Sequence, residues 1–216
     1  MAQYGAPVRA HEEFRPVQIT RAKSGMLIYD FGQNFAGVIH AAIRGRQGQK
    51  VEFRHAEILM DGELYTEPLR TAKQEAVYIC KDGEQTYSPK MTYMGFRYVG
   101  VRGIEEDQLE LTALALYSDV EDNGNFSCSN ELINQLQNSI RWEQSPILWI
   151  SRQTVRREMR EWDGREILHC LRYGSLHFNI SRFLEKWLLD VKAEQIKAAG
   201  FRLRCRLSGY RCSGRS

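Results

Sequence analysis

Short apolar runs separated by turn residues dominate the chain between Met26 and Tyr117. In Val51–His55 apolar and polar residues alternate, which is the period of a half-buried strand. Glycines and the pairs Asp61-Gly62 and Asp82-Gly83 separate the runs and favour hairpin turns. The pattern predicts a β-sandwich with strands at Met26–Tyr29, Val38–Ile43, Val51–His55, Ala76–Ile79, Phe96–Val99 and Leu109–Leu116.

Helical periodicity replaces this pattern after Asn123. A first apolar face consists of Leu132, Ile133, Leu136 and Ile140, and N-cap candidates precede it at 127–130. A second helix is predicted over Ser181–Ala199, with Gly200 in the position of a C′ glycine. The sequence therefore predicts a sandwich over residues 1–120 and a helical domain over residues 121–216.

Composition excludes several classes of protein. Of 216 residues, 43% are hydrophobic and 26% are charged, which is typical of a globular protein. No apolar run reaches about 18 residues and Met1–Ala10 is not of the signal-peptide kind, so we expect no membrane span and a cytoplasmic location. The five cysteines are scattered and form no Cys-x-x-Cys pair, so no disulfide framework, zinc site or cofactor is expected.

Positive charge is concentrated at the end of the chain. The net charge is +3, and no acidic residue accompanies the five arginines that follow Gly200: Arg202, Arg204, Arg206, Arg211 and Arg215. A second arginine-rich run extends from Arg152 to Arg165. Basic segments of this kind raise the hypothesis of a nucleic-acid partner.

A set of motifs in the predicted sandwich has a specific order and spacing. Tyr29–Gly37 reads Tyr-Asp-Phe-Gly-Gln-Asn-Phe-Ala-Gly, and it is followed by motifs at Arg54–Glu57, Asp61–Tyr65, Leu69–Lys73 and Thr92–Val99. Together they resemble bacterial α-L-rhamnosidases, which are glycoside hydrolases. The resemblance continues over 126–130, 134–144 and 179–200. It implies a concanavalin-like sandwich followed by an (α/α)6 barrel that carries the catalysis.

The same resemblance implies an acidic signature just after the first barrel helix, containing Asp-Cys-Pro-Gln-Arg-Asp-Glu-Arg. Its carboxyl groups serve glycoside hydrolysis, which needs a general acid and a carboxylate that activates water. Trp149–His169 stand in its place and lack it. Codons that are compatible with this stretch encode the whole signature when each codon starts one nucleotide earlier. We therefore interpret residues 145–177 and 201–216, with their arginines, as out-of-frame translation.

Four acidic residues remain in this stretch as catalytic candidates. On a helix Glu158 and Glu161 would share one face. The acids alternate with arginines, as on a solvated surface, and Arg160 stands where the resemblance places the general acid. No catalytic role is assigned to the set: Glu158, Glu161, Asp163 and Glu166.

Polar and aromatic residues of the sandwich are further candidates. Asp30, Gln33 and Asn34 lie in a loop bracketed by glycines, which favours packing against a neighbouring domain over contact with a substrate. His55 and Glu57 are interpreted as structural or interdomain polar groups, with a sugar or metal contact as the alternative. Core packing is favoured over sugar stacking or a barrel lining for the aromatic candidates: Tyr93, Phe96, Tyr98, Trp142 and Trp187.

The resemblance implies a piece of an enzyme that removes terminal α-L-rhamnose from rhamnosides with inversion. With only the first barrel helices present, apolar side chains such as Phe183, Trp187 and Val191 would lack partners, and the chain is expected to be inactive. Rhamnose-containing glycosides are the expected partners, without nucleic acid, membrane or metal, and no substrate-binding residue is assigned. The alternatives are a sandwich that binds carbohydrate without cleaving it and a basic-tailed nucleic-acid binder.

Overall fold

The structure is a computed structural model that describes residues 6–69, 72–144, 175–193, 195–196 and 200–201. Along the chain, ten strands come first, two helices follow, and a short hairpin comes last among the described residues. The strands are β1 (Val8–Phe14), β2 (Gln18–Arg21), β3 (Leu27–Gly45), β4 (Lys50–Ala56), β5 (Leu59–Met60), β6 (Glu63–Leu64), β7 (Glu75–Ile79), β8 (Gly83–Tyr87), β9 (Met94–Arg102) and β10 (Leu109–Ser118). Helices α1 (Glu131–Gln144) and α2 (Ser181–Ala193) come next, followed by β11 (Gln195–Ile196) and β12 (Gly200–Phe201).

The 19-residue strand β3 is shared by two layers of antiparallel strands. Its first part, Leu27–Asp30, lies between β2 and β9, and the layer continues through β4 to β7. Its last part, Ala41–Ile43, lies between β8 and β10, and that layer ends with β1. The two runs that the sequence predicts as separate strands are therefore one strand.

One apolar core fills the space between the layers, because both contribute alternate side chains to it. Phe53 and Tyr78 of the first layer stack against Tyr87 of the second, with ring centroids 5.9 and 4.6 Å apart. The core includes Leu27, Tyr29, Phe35, Ile39, Ile43, Val51, Phe53, Phe96, Val99, Val101, Leu109 and Leu111. The predicted sandwich is thus confirmed.

The two Asp-Gly pairs differ in what they connect. Asp61-Gly62 turns between β5 and β6, which pair with each other as a hairpin. Asp82-Gly83 leads into β8, but β8 pairs with β3 while β7 pairs with β4. The second hairpin prediction is therefore wrong, because this turn carries the chain from one layer to the other.

Helix α1 contacts the sandwich through its last turn. Trp142 lies against Phe14 at 5.7 Å between ring centroids, and Phe14 stacks on Phe35 of the core at 4.6 Å. Arg141 donates two hydrogen bonds of 2.6 and 2.7 Å to the carboxylate of Asp122 in the preceding segment. Core packing of Trp142 is confirmed, whereas the side chain of Trp187 lies outside the described residues.

The apolar face predicted for α1 faces solvent in the described part of the chain. The helix begins after Asn130, whose Oδ1 accepts a hydrogen bond from the N–H of Leu132 at 3.0 Å. Leu132 is 75% exposed and Leu136 is 60% exposed, while Trp142 on another side of the helix reaches the sandwich. The pattern thus predicts the helix correctly, but this face has no cover among the described residues.

Helix α2 is shorter than its apolar pattern predicts. It ends at Ala193, and Gln195 and Ile196 pair with Phe201 and Gly200 in the hairpin β11–β12. The prediction that Gly200 caps a helix ending at Ala199 is wrong, because Gly200 forms strand hydrogen bonds instead. No helix in the described ranges combines the length and apolarity that a bilayer crossing requires.

Replacement of Gly37 tests how closely the strands approach at the point where β3 passes from β9 to β10. A Cβ here would lie 2.0 Å from the carbonyl oxygen of Leu114, so Gly37→Ala should lower the free energy of unfolding by about 2–3 kcal/mol. Gly48→Ala is the control, because it meets nothing within 4 Å and adds only the strain of its positive φ, about 1 kcal/mol. Urea unfolding followed by circular dichroism measures both, and equal losses would contradict the steric explanation.

Candidate functional site

A polar bulge interrupts β3 beside β9. Between the pairs Asp30–Tyr98 and Phe35–Phe96, residues 31–34 of β3 stand opposite the single residue Arg97. Bulges of this kind re-aim side chains and are frequent next to functional sites. This is the loop in which the sequence places Asp30, Gln33 and Asn34, so the predicted candidates do lie together.

The bulge is held by a two-point ion pair between Asp30 and Arg97. Arg97 donates from Nε to Oδ1 at 2.8 Å and from Nη2 to Oδ2 at 2.9 Å. The side chain of Asp30 is only 16% exposed, and its Oδ1 also accepts the N–H of Gly32 at 2.7 Å. These hydrogen bonds, chiefly that from Arg97, lower the pKa of Asp30.

The local backbone follows from these contacts. Gly32 has a φ of +75°, a conformation that favours glycine, and its N–H points back to the Asp30 carboxylate. The carbonyl of Asp30 accepts the N–H of Val17 at 2.7 Å, which fixes the bulge against the segment before β2. The carboxylate of Asp30 is therefore committed to structure and, being held ionised, is not suited to act as a general acid.

Two amides and a carboxylate form the partly exposed surface of the bulge. Gln33 Nε2 donates to the carbonyl of Asn34 at 2.9 Å, and Asn34 Nδ2 donates to Oε1 of Glu57 at 3.4 Å. All three side chains are half-buried. A surface of this kind can hydrogen bond to a polar partner. Two amides and one carboxylate do not provide the pair of a general acid and a general base that glycoside hydrolysis needs.

The aromatic candidates do not form a sugar-stacking platform. Phe96 is fully buried and packs against Phe31 and Phe35. The guanidinium of Arg97 lies over the ring of Tyr98 at 5.0 Å from its centroid. Tyr93 is largely enclosed, and burial raises the pKa of its hydroxyl to about 12. Core packing is therefore confirmed for Phe96.

His55 has a structural role, one of the two roles favoured from the sequence, and the structure places it in the core. It is 1% exposed, its ring stands edge-on to Phe96 at 4.8 Å, and its Nδ1 lies 3.1 Å from the carbonyl oxygen of Gln74. Burial lowers its pKa to about 4, so the imidazole is neutral near pH 7. No cluster of three metal-ligating side chains occurs among the described residues.

The other candidate carboxylates belong to a stretch outside the described part of the chain. Glu158, Glu161, Asp163 and Glu166, together with Arg160 and the whole of Trp149–His169, lie outside the described residues. Most of residues 145–177 and 201–216, which we interpret from the sequence as out-of-frame translation, also lie outside the described residues.

Sequence reasoning missed Arg97, although it lies in a quoted motif. The available signal was the occurrence of one arginine and one aspartate in two strands that share the same layer, but their pairing depends on a register that the bulge shifts. It also missed a polar junction beside α1, where the Tyr117 hydroxyl donates to Glu12 Oε1 at 2.8 Å and His11 stacks on the Tyr117 ring at 3.8 Å. Burial and Glu12 raise the pKa of Tyr117.

Comparison with known proteins gives consistent results for sequence and structure. Residues 20–117 match the model of the bacterial alpha-L-rhamnosidase concanavalin-like domain. An alpha-L-rhamnosidase of Streptomyces avermitilis is 32% identical over 207 residues, which cover 93% of this chain and 20% of that protein. The chain thus spans about a fifth of the length of this curated relative.

Solved structures of similar proteins extend the match beyond the sandwich. The structure of the Streptomyces avermitilis alpha-L-rhamnosidase complexed with L-rhamnose superposes with a TM-score of 0.83 at 31% identity, over 91% of this chain and 20% of that one. The native enzyme of Aspergillus terreus gives a TM-score of 0.82 at 34% identity, over 89% and 23% respectively.

Removal of the Arg97 guanidinium tests the role of the ion pair. Arg97→Met leaves the largely buried Asp30 carboxylate without its main donor and should lower the free energy of unfolding by about 1–2 kcal/mol at pH 7. Arg21→Met is the matched control, because the Arg21–Glu105 pair is well exposed and should be worth less than about 0.5 kcal/mol.

The pH dependence of this loss has a defined sign. Because the folded-state pKa of Asp30 is lowered, its stabilisation is present above the ordinary aspartate pKa and disappears as the pH falls through the folded value. The difference between wild type and Arg97→Met should therefore shrink from pH 7 to pH 3 in urea titrations. A difference that stays constant over this range would contradict the ion-pair explanation.

Proposed function

Since residues 20–117 are a concanavalin-like domain of the bacterial α-L-rhamnosidase family, we propose that the chain is part of a glycoside hydrolase that removes α-L-rhamnose from rhamnose-containing glycosides. One observation carries the proposal: the superposition on a rhamnosidase complexed with L-rhamnose covers 91% of this chain at 31% identity, which is more of the chain than the sandwich alone. The reaction proposed is the family's hydrolysis with inversion, by a general acid and a water-activating base.

The sandwich, residues 1–120, is proposed to support a helical catalytic domain that begins at residue 121. Helix α1 supports this division, because it is attached to the sandwich by Trp142 on one side while Leu132 and Leu136 face outward on another. A helix with two separate apolar faces suits a position between a sheet and a further layer of helices. We therefore propose that α1 and α2 are the first helices of an (α/α)6 barrel.

In this assignment the polar bulge borders the helical domain. Phe35 directly follows Asn34, and a single ring, that of Phe14, separates Phe35 from Trp142 of α1. The rigid base formed by Asp30 and Arg97 would hold the amides of the bulge in place against a neighbouring helix or loop. This proposal gives the sandwich a positioning role and leaves the acid and base chemistry to the helical domain.

The alternative of a sandwich that only binds carbohydrate is less well supported. Tyr98 lies under a guanidinium, Phe96 is in the core, and the Asp30 carboxylate is fully occupied. Among the described residues around the bulge, no open aromatic face is available for the apolar side of a sugar ring.

We propose that this chain as it stands does not hydrolyse rhamnosides, because the acidic signature expected between Trp149 and His169 is missing from its sequence. The purified chain should release no p-nitrophenol from p-nitrophenyl α-L-rhamnopyranoside at pH 5 to 8. The Streptomyces avermitilis enzyme serves as the positive control under the same conditions. Turnover above the background of a mock purification would overturn the proposal.

The loss of the signature is proposed to originate in a shift of reading frame. Sequencing of the coding DNA from the Asn134 codon through the Ser216 codon should find that single-nucleotide corrections restore the acidic signature and an open frame. A DNA sequence whose alternative frame does not encode the signature would contradict the frameshift but not the family assignment.

A further inference from the structure

Strand β7 forms an open edge of the sandwich. Its layer extends from β2 through β3, β9 and β4 to β7, and no strand among the described residues pairs with the outer side of β7. An edge strand presents backbone N–H and C=O groups that can pair with a strand of another chain, and natural proteins commonly protect such edges with charged or covering groups. The side chains of β7 therefore decide whether this edge is protected or available.

The outward side chains at this edge are apolar in the middle and charged at both ends. Val77 is 49% exposed and Ile79 is 55% exposed. Glu75 comes two residues before Val77, and the exposed Lys81 comes two residues after Ile79. Glu75 Oε1 lies 3.2 Å from Nε of Arg54 in β4, and this ion pair remains partly exposed. The edge thus presents an acid, two apolar residues and a base at alternate positions.

The two apolar residues also direct their backbone groups to the outer side of the edge. Toward β4, the carbonyl of Gln74 accepts a hydrogen bond of 2.9 Å and the N–H of Cys80 donates one of 2.8 Å. In an antiparallel ladder a residue directs its N–H and C=O to one side, and the next residue directs them to the other side. Val77 and Ile79 are an odd number of positions from Gln74 and Cys80, so their N–H and C=O groups point away from β4.

The free part of the edge ends at Lys81. The side chain of Gln85 accepts a hydrogen bond from the N–H of Lys81 at 2.8 Å and donates one to its carbonyl at 2.8 Å. The backbone of Lys81 is therefore already bonded, and a neighbouring strand can meet only its side chain. Backbone pairing is thus restricted to a short stretch around Val77 and Ile79, so a second strand would bind weakly and its register would depend on side chains.

We propose that β7 is a self-association surface, through which two copies of this chain pair antiparallel about a twofold axis at Tyr78. This axis places Val77 opposite Ile79 of the second copy, so the two residues exchange backbone hydrogen bonds and bring their apolar side chains together. It also places Glu75 opposite Lys81 of the second copy, and the symmetry repeats each contact. An axis at Val77 would set Glu75 against Ile79 instead, so the charges select the proposed register.

Hydrogen exchange of the full 216-residue chain at pH 7 and low salt tests the pairing directly, in dilute solution at about 10 μM and in concentrated solution at about 500 μM. The N–H groups of Val77 and Ile79 should exchange at the unprotected rate in dilute solution and several-fold more slowly in concentrated solution. The N–H of Tyr78, which points to β4, should be protected at both concentrations. Unprotected exchange of Val77 and Ile79 at both concentrations would overturn the proposal.

Charge reversal tests the register. Lys81→Glu and Glu75→Lys each place like charges opposite each other in a dimer, so each variant alone should raise the dimer Kd at least about tenfold in sedimentation equilibrium. An equimolar mixture of the two variants restores opposite charges at both contacts and should form a mixed dimer of about wild-type affinity. Lys23→Glu, at an exposed turn after β2 on the opposite edge of the layer, is the control and should leave the Kd unchanged.

Recovery in the mixture would support the pairing of Glu75 with Lys81, since neither variant regains it alone. Association that is insensitive to both reversals, or a mixture that does not recover it, would overturn the proposal, because another surface such as the exposed side of α1 would then hold the copies together. The exchange measurement on the wild-type chain decides between these outcomes even if a variant fails to fold.

Discussion

Strand β3 belongs to both layers of the sandwich, and the positions of the other strands depend on this sharing. Its first part gives one edge to β2 and the other to β9, and its last part does the same for β8 and β10. A strand can pass between layers only where its neighbours change, and here that point is Gly37, which is paired with both β9 and β10. The backbone of β10 occupies the space that a side chain at Gly37 would need.

The bulge and the ion pair are consequences of this passage. Four residues of β3 stand opposite one residue of β9 just before the change of partners, so their backbone groups leave the regular ladder. Asp30 replaces part of the lost hydrogen bonding by accepting from Gly32 and Arg97. The polar motif therefore serves the fold first. The ion pair of Asp30 and Arg97 also fixes the bulge on which the amides of Gln33 and Asn34 face a possible partner.

Two largely buried titratable side chains of the two-layered sheet, Asp30 and His55, differ in their charge state at neutral pH. Asp30 stays charged, since a guanidinium and a backbone N–H compensate its desolvation. His55 has no charged partner in the described part of the chain and stays neutral, and its ring Nδ1 lies within hydrogen-bond distance of the carbonyl oxygen of Gln74. Asp30 loses its stabilisation as the pH falls from the ordinary aspartate pKa of 3.8 through its lowered folded-state pKa. His55 responds at milder acidity, because an unfolded histidine takes up a proton near pH 6.5.

The sequence by itself determined the sandwich, the first helix with its Asn130 cap region and the family resemblance, because alternation, turn residues and motif order are local properties. It also favoured a structural or interdomain role for His55 and core roles for Phe96 and Trp142. Tertiary structure decided that 27–45 is one strand, that Asp82-Gly83 is a crossing and that α2 ends at Ala193, because each depends on which distant strand supplies the hydrogen bonds. It alone paired Arg97 with Asp30, since the bulge shifts the register between β3 and β9 and no local sequence pattern predicts that shift.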